Sequence, residues 1–226
     1  MDWDVQFRCD ENLEPVFIHK LFYFLISIGI KYNAGDYNTY YLIYTEKNEN
    51  DVEYKEKERK ESTEKLAEIV DTYTKFNLKT DLLSIWLDYQ KEVDFRFSFT
   101  LDPIGENNLF VTFGTGEHLV PDEKSFLVFI NMCKEVFVRF NFSHGAFRIE
   151  NISDVPHDKG DFLKEKPNIV NFYSKSLVDK IGREKLLSTP AFKVEELENG
   201  GVMLIVCTKV IGCPDEMYRV WGHLGY

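Results

Sequence analysis

An α+β fold, with a mixed, mainly antiparallel sheet packed against several helices, follows from three features of the sequence. The run VDFRFSFTL alternates strictly, with Val93, Phe95, Phe97, Phe99 and Leu101 on one side and Asp94, Arg96, Ser98 and Thr100 on the other. That period of two makes a strand with one oily face and one wet face. Turn signals, DPIGENN from Asp102 and ENG from Glu198, join neighbouring runs into hairpins. Amphipathic helices fall between the strands without regular βαβ repetition, which separates this pattern from a doubly wound sheet. The order reads as a single α+β domain over residues 1–226, or as two lobes, 1–90 and 91–226.

The elements follow in order. WDVQFRC (Trp3 to Cys9) alternates and predicts a first strand. Asn12 is placed to cap a helix that opens around Leu13 to Pro15 and runs to about Ile30, with Pro15 tolerated in the first turn. LFYFLISIGI makes that helix apolar nearly all round, so most of its sides are expected to be buried. YNAGDYN breaks the chain, and TYYLIYT (Thr39 to Thr45) predicts a strand rich in aromatic and β-branched residues. The charged segment from Glu46 to Lys65 mixes acids and bases, and predicts a solvated loop feeding the exposed face of a helix. Leu66, Ile69, Val70, Tyr73 and Phe76 have the spacing of that helix's inner face.

LLSIWLDY (Leu82 to Tyr89) suits helix and strand alike by pattern, and a strand is favoured because it leads straight into VDFRFSFTL; LFVTFG (Leu109 to Gly114) reads as the antiparallel return. A helix near Pro121, with Asp122 and Glu123 in its first turn, buries Phe126, Phe129, Ile130, Cys133, Phe137 and Phe140. AFRIENI predicts another strand, Asp154 to Pro167 a long polar loop, and NIVNFYS a further strand. SLVDKIGREKLLST reads as a helix broken near Gly182. AFKVEEL and GVMLIVCTKV form the last hairpin, and the unbroken apolar stretch Met203 to Cys207 predicts a strand covered on both faces. Pro214 opens a closing helix through Leu224.

Composition narrows the function classes. The chain has 226 residues, enough to bury a real core, and 19 Phe, 12 Tyr and 3 Trp to fill it. A net charge of −11 argues against nucleic-acid binding, which needs a basic surface to displace counterions. The cysteines at 9, 133, 207 and 213 form no CxxC and no zinc-like spacing; Cys9 and Cys207 in strand-like runs and Cys133 in an amphipathic helix read as small hydrophobes, and a reduced, cytoplasmic setting is expected. The apolar run from Leu21 to Ile30 is about half the length that spans a bilayer. Acidic residues precede it, unlike the basic start of a secretory signal, so no membrane partner is expected.

No catalytic constellation emerges. GTGEH (Gly114 to His118) sits where a phosphate loop would sit, but it lacks the Lys-Ser/Thr of a Walker loop and a third glycine. HDKGD (His157 to Asp161), with His144 and Asp154 upstream, has metal-ligand residue types without a helical His pair, and no metal is assigned to it. His19 and His223 are isolated. There is no GxSxG elbow, and the carboxylates Asp88, Glu92, Asp94 and Asp102 read as solvated groups at strand ends. No cofactor is expected.

The richest landmark string is NFYSKSLVDKIGREKLLSTPAFKVEELENGGVMLIV, followed by CPDEM. Its tyrosine strand ending in Tyr173-Ser174, its Ile181-Gly182 helix and its VEELENGG hairpin resemble the C-terminal part of bacterial immunity proteins. Those proteins protect cells against polymorphic or type VI secretion toxins. Phe172 stands where such proteins would carry tryptophan, and the charged segment before Leu66 has no counterpart. Tyr173, Gly182, Gly200 and Gly201 have structural explanations, so no functional residue transfers.

The resemblance implies a non-enzymatic inhibitor with a cognate protein toxin as partner, and acidity suits a basic one. On that reading the expected contact residues are Asp94 and Arg96 on the wet face of VDFRFSFTL, with Glu117, His118, Asp154, His157 and Asp158 in loops. Two alternatives stay open. One is a small enzyme or ligand-binding domain with an aromatic-lined pocket. The other is a homodimer that hides an aromatic patch.

Overall fold

The structure, a computed structural model, describes residues 2–9, 15–32, 39–48, 51–60, 70–71, 82–104, 108–116, 122–149, 162–208 and 213–226. In chain order the first elements are β1 (Asp2–Cys9), α1 (Pro15–Ser27), β2 (Ile30–Tyr32), β3 (Thr39–Asn48), β4 (Asp51–Lys60), β5 (Leu82–Gln90), β6 (Asp94–Ile104) and β7 (Asn108–Gly116). Then come α2 (Glu123–Arg139), β8 (His144–Ile149), β9 (Val170–Tyr173), α3 (Lys175–Ile181), α4 (Arg183–Leu187), β10 (Lys193–Glu196), β11 (Val202–Ile205) and α5 (Pro214–Leu224). A single 3₁₀ turn at Phe162–Lys164 precedes β9. The fold is α+β, and two compact units divide it: Arg8–Leu119, and Met1–Phe7 together with Val120–Tyr226.

In the first of these units the strand order is β7-β6-β5-β3-β4, with β2 also on β5. Alternation explains it. Leu83, Ile85, Leu87 and Tyr89 of β5 and Phe95, Phe97, Phe99 and Leu101 of β6 are all buried. Phe22 of α1 meets Phe99 edge-on at 5.1 Å, so the helix covers that inner face. Each ring taken fully out of water contributes about 1.5–3 kcal/mol, which makes this aromatic layer the main cohesive force of the unit. The opposite edge of β5 is shared: β3 pairs with its residues 82–84 and β2 with its residues 87–89. Ile85 and Trp86 fall at the seam.

Two expectations need correction here, and a third falls mostly outside the described residues. The segment predicted to be a solvated loop is largely the β3–β4 hairpin, paired from Thr39↔Lys60 to Asn48↔Asp51. Its charges repeat with a period of two, acids at 56 and 58 and bases at 55, 57 and 59, which suits a strand and not a helix. Of the predicted inner helix face only Val70 is described, buried in a helical turn with Asp71; Leu66, Ile69, Tyr73 and Phe76 lie outside the described residues. Finally, α1 is not buried nearly all round. Ile18, Leu21, Phe22 and Leu25 point inward, but Val16, Tyr23 and Ile26 are exposed.

The other unit has three layers. Its sheet order is β10-β11-β9-β8-β1. On one face α2 sets Phe126 against Trp3 and Phe147, and Phe137 against Phe7 and Phe172. On the other face α3, α4 and α5 bring Leu177, Val178, Leu186, Val220 and Leu224 against Tyr173, Val202 and Leu204. Both faces of β11 are therefore covered, as its continuous apolar run predicted, and all four of its residues are buried. Gly182 separates α3 from α4 with φ of +104°, a conformation that glycine adopts without Cβ strain.

Cysteine pairing corrects a further expectation. Cys207 and Cys213 form a disulfide, while Cys9 and Cys133 are buried and lie outside that bond. By its strand-like run Cys207 reads as a small hydrophobe, but a strand end and a helix start meet here across a six-residue separation.

Candidate docking surface

The outward residues of β5, β6 and β7 build a mainly polar surface in the Arg8–Leu119 unit. Because the inward positions are filled by Phe and Leu, the period of two turns Ser84, Trp86, Asp88, Arg96, Ser98 and Thr100 the other way. The register arranges these residues in rows. Thr112, Thr100 and Ser84 lie abreast, as do Gly114, Ser98 and Trp86. A third row holds Arg96, Asp88 and Lys31.

Each row has its own chemistry. Thr100 Oγ1 donates to Ser84 Oγ at 3.3 Å, a hydroxyl ladder between strands. Ser98 Oγ donates to the carbonyl of Gly114 at 3.4 Å, so Trp86 has a small residue and then a glycine abreast of it. Trp86 is 38% exposed, which is unusual for the side chain with the most apolar area to hide. Arg96 Nε lies 3.4 Å from Asp88 Oδ1. Next to this pair Lys31 Nζ donates to Gln90 Oε1 at 3.2 Å. Tryptophan and arginine are the residues over-represented among those that dominate binding energy at protein interfaces.

The structure brings together two of the seven expected contact residues. Asp94 and Arg96 are both exposed on β6, on one face, and Asp94 stands opposite Gln90. Glu117, His118, Asp154, His157 and Asp158 lie outside the described residues. Trp86 and Asp88 were missed as site residues. The signal was available, because both fall in the polar phase of LLSIWLDYQ, whose burial alternates strand-wise.

Reactive chemistry is sparse among the described residues. No group of three or more His, Cys, Asp and Glu is placed to hold a metal ion. Burial pushes the Cys133 thiol well above its usual range, which suits a packing residue rather than a nucleophile. Burial likewise raises the Tyr173 phenol. His19 Nε2 lies 3.8 Å from Asp71 Oδ1 and stacks on Tyr23, while His223 Nε2 donates to the carbonyl of Lys185 at 2.9 Å. The phenylalanine surplus goes into packing: Phe7, Phe97, Phe113 and Phe129 are among the rings shut off from solvent. No helix among the described residues is long and apolar enough to cross a membrane.

No protein-family model matches the chain. No curated protein matches it either. Among solved structures it is similar to the Pseudomonas aeruginosa T6SS protein PA0821, with 12% identity and a TM-score of 0.50 over 99% of this chain and 71% of that one. A likeness at this identity is one of fold.

Proposed function

We propose that this chain is a non-enzymatic interaction protein, an immunity protein that binds and neutralises a cognate protein toxin. The outward face of β5 and β6 is its docking surface. The observation that carries the reading is Trp86, a large side chain left exposed on an otherwise polar sheet, with Arg96 and Asp88 one row away. Fold likeness to a T6SS protein and the resemblance of the C-terminal string to immunity proteins support the same class. The net charge of −11 favours a toxin with a basic surface, since complementary charge speeds encounter and disfavours acidic competitors.

The test is binding of the full chain to the product of the gene adjacent to its own, measured by calorimetry, with Trp86→Ala and Arg96→Ala beside the wild type. A residue of the kind that dominates an interface costs about 2 kcal/mol or more on truncation, so each variant is expected to bind roughly 30-fold more weakly. No binding by the wild type, or unchanged affinity in both variants, removes this reading.

A further inference from the structure

We infer that the Cys207–Cys213 disulfide is a permanent clamp on the C-terminal helix, and that the chain works in an oxidising compartment. The two cysteines lie at the places where a tether has the most to hold. Cys207 follows β11 and core residue Val206, and Cys213 is the residue before the first turn of α5. At most helix starts a Ser, Thr, Asp or Asn side chain accepts a hydrogen bond from the first turn. Cys213 makes no such bond, and Pro214 follows it directly.

An eleven-residue helix is marginal by itself, and α5 holds on through Val220, Leu224 and a bond from Lys185 Nζ to the Leu224 carbonyl. Met217 packs the first turn against the same core, and the covalent link fixes the residue that precedes that turn.

The bond has the marks of a structural disulfide and lacks those of a switch. Both cysteines are buried, at 7% and 6% exposure, which shields the sulfurs from an attacking thiolate. The other cysteines of the chain, Cys9 and Cys133, are buried too, so neither is a ready resolving thiol. Forming the bond takes two electrons and two protons from the Cys207 and Cys213 thiols. A disulfide oxidant receives them by thiol–disulfide exchange and leaves as a dithiol. Such oxidants prevail outside the reducing cytoplasm. The inference stands apart from the docking reading; only its extension, that the toxin is met in that compartment, rests on it.

Rapid acid quenching of the native host's cells, followed by maleimide labelling of the denatured chain, counts its free thiols. Two labelled thiols per chain are expected, and four overturn the inference. Melting of the purified full chain with and without a phosphine reductant gives an independent reading. Reduction is expected to lower Tm by roughly 5–10 °C, as loss of a short-loop disulfide does in a protein of this size. A Cys207→Ser, Cys213→Ser double variant should melt where the reduced wild type does and ignore the reductant. A wild-type Tm indifferent to reduction, with two thiols counted before and four after, shows that the bond clamps nothing. Because the wild type is compared with itself, that outcome is readable even where the double variant fails to fold.

Discussion

Asp88 and Arg96 face each other directly across the β5–β6 register, with Arg96 Nε 3.4 Å from Asp88 Oδ1. The arginine side chain is 44% exposed, and a pair this open to water is worth little to the fold, about 0–1 kcal/mol. Arg96→Ala should therefore leave the denaturation midpoint within roughly 0.5 kcal/mol of wild type. Urea unfolding followed by circular dichroism checks this. A larger loss would make Arg96 part of the scaffold and would undercut its use as a binding probe.

Phe7 and Gly145 are packed so that the ring occupies the space a Cβ at 145 would need. Phe7 stacks on Phe142 at 5.1 Å and meets Phe172 edge-on at 5.2 Å, so it has no free direction in which to retreat. Gly145→Ala is expected to cost about 1–3 kcal/mol through overpacking. Paired with Phe7→Leu, part of that loss should return. Chemical denaturation of the two single variants and the double variant measures the coupling, and strict additivity would contradict the packing account.

Removing volume from the same layer acts in the opposite sense. Phe137 on α2 contacts Phe7 and Phe172 and is fully buried. Phe137→Ala should cost about 3–5 kcal/mol, with the tyrosine and tryptophan near-ultraviolet signal weakening before the far-ultraviolet one. An unchanged melting curve would mean the aromatic layer carries less than its burial implies.

Two glutamates should pull the pH dependence of stability in opposite directions. Partial burial works to raise Glu195, but hydrogen bonds from Lys193 and Lys134 outweigh it and hold its carboxyl below the ordinary value of 4.5. A carboxyl depressed on folding stabilises at neutral pH, and that stabilisation fades as pH falls below 4.5 through the lowered folded value. Glu165 is raised above 4.5 by burial, so the folded state loses stability as pH rises through 4.5 and its raised value. Accordingly Glu195→Gln should lower Tm at pH 7 and flatten its fall in acid, while Glu165→Gln should raise Tm at pH 7. Melting curves from pH 3 to pH 7 separate the two, and matching shifts of one sign in both variants would refute the assignment.

Much of the architecture was legible because its elements obey one strong period. The alternation in β6, the glycine break between α3 and α4, and the buried stretch of β11 came from local pattern alone, while β5 suits helix and strand alike by itself and is decided by the strand it leads into. The β3–β4 hairpin escaped because high charge was weighed above charge spacing, though the alternation of Lys and Glu carried the strand period openly. Exposure on α1 escaped for another reason: periodicity cannot say how much of an apolar helix finds a partner, since that depends on how far the sheet extends beneath it. The disulfide needed knowledge of where two chain ends meet in space. Trp86 was readable as outward-facing, but its place beside Ser98 and Gly114 depends on the registers of two strand pairs, which no single strand reveals.

The strict division of β5 and β6 into inward and outward positions has an evolutionary consequence. On the proposed docking reading, substituting Ser84, Trp86, Asp88, Arg96 or Ser98 alters what the surface selects, while Leu87, Phe97 and Phe99 keep the scaffold intact beneath it. Surface chemistry is thereby uncoupled from foldability. Under the proposed function, recognition can be retuned one residue at a time without crossing an unfolded intermediate.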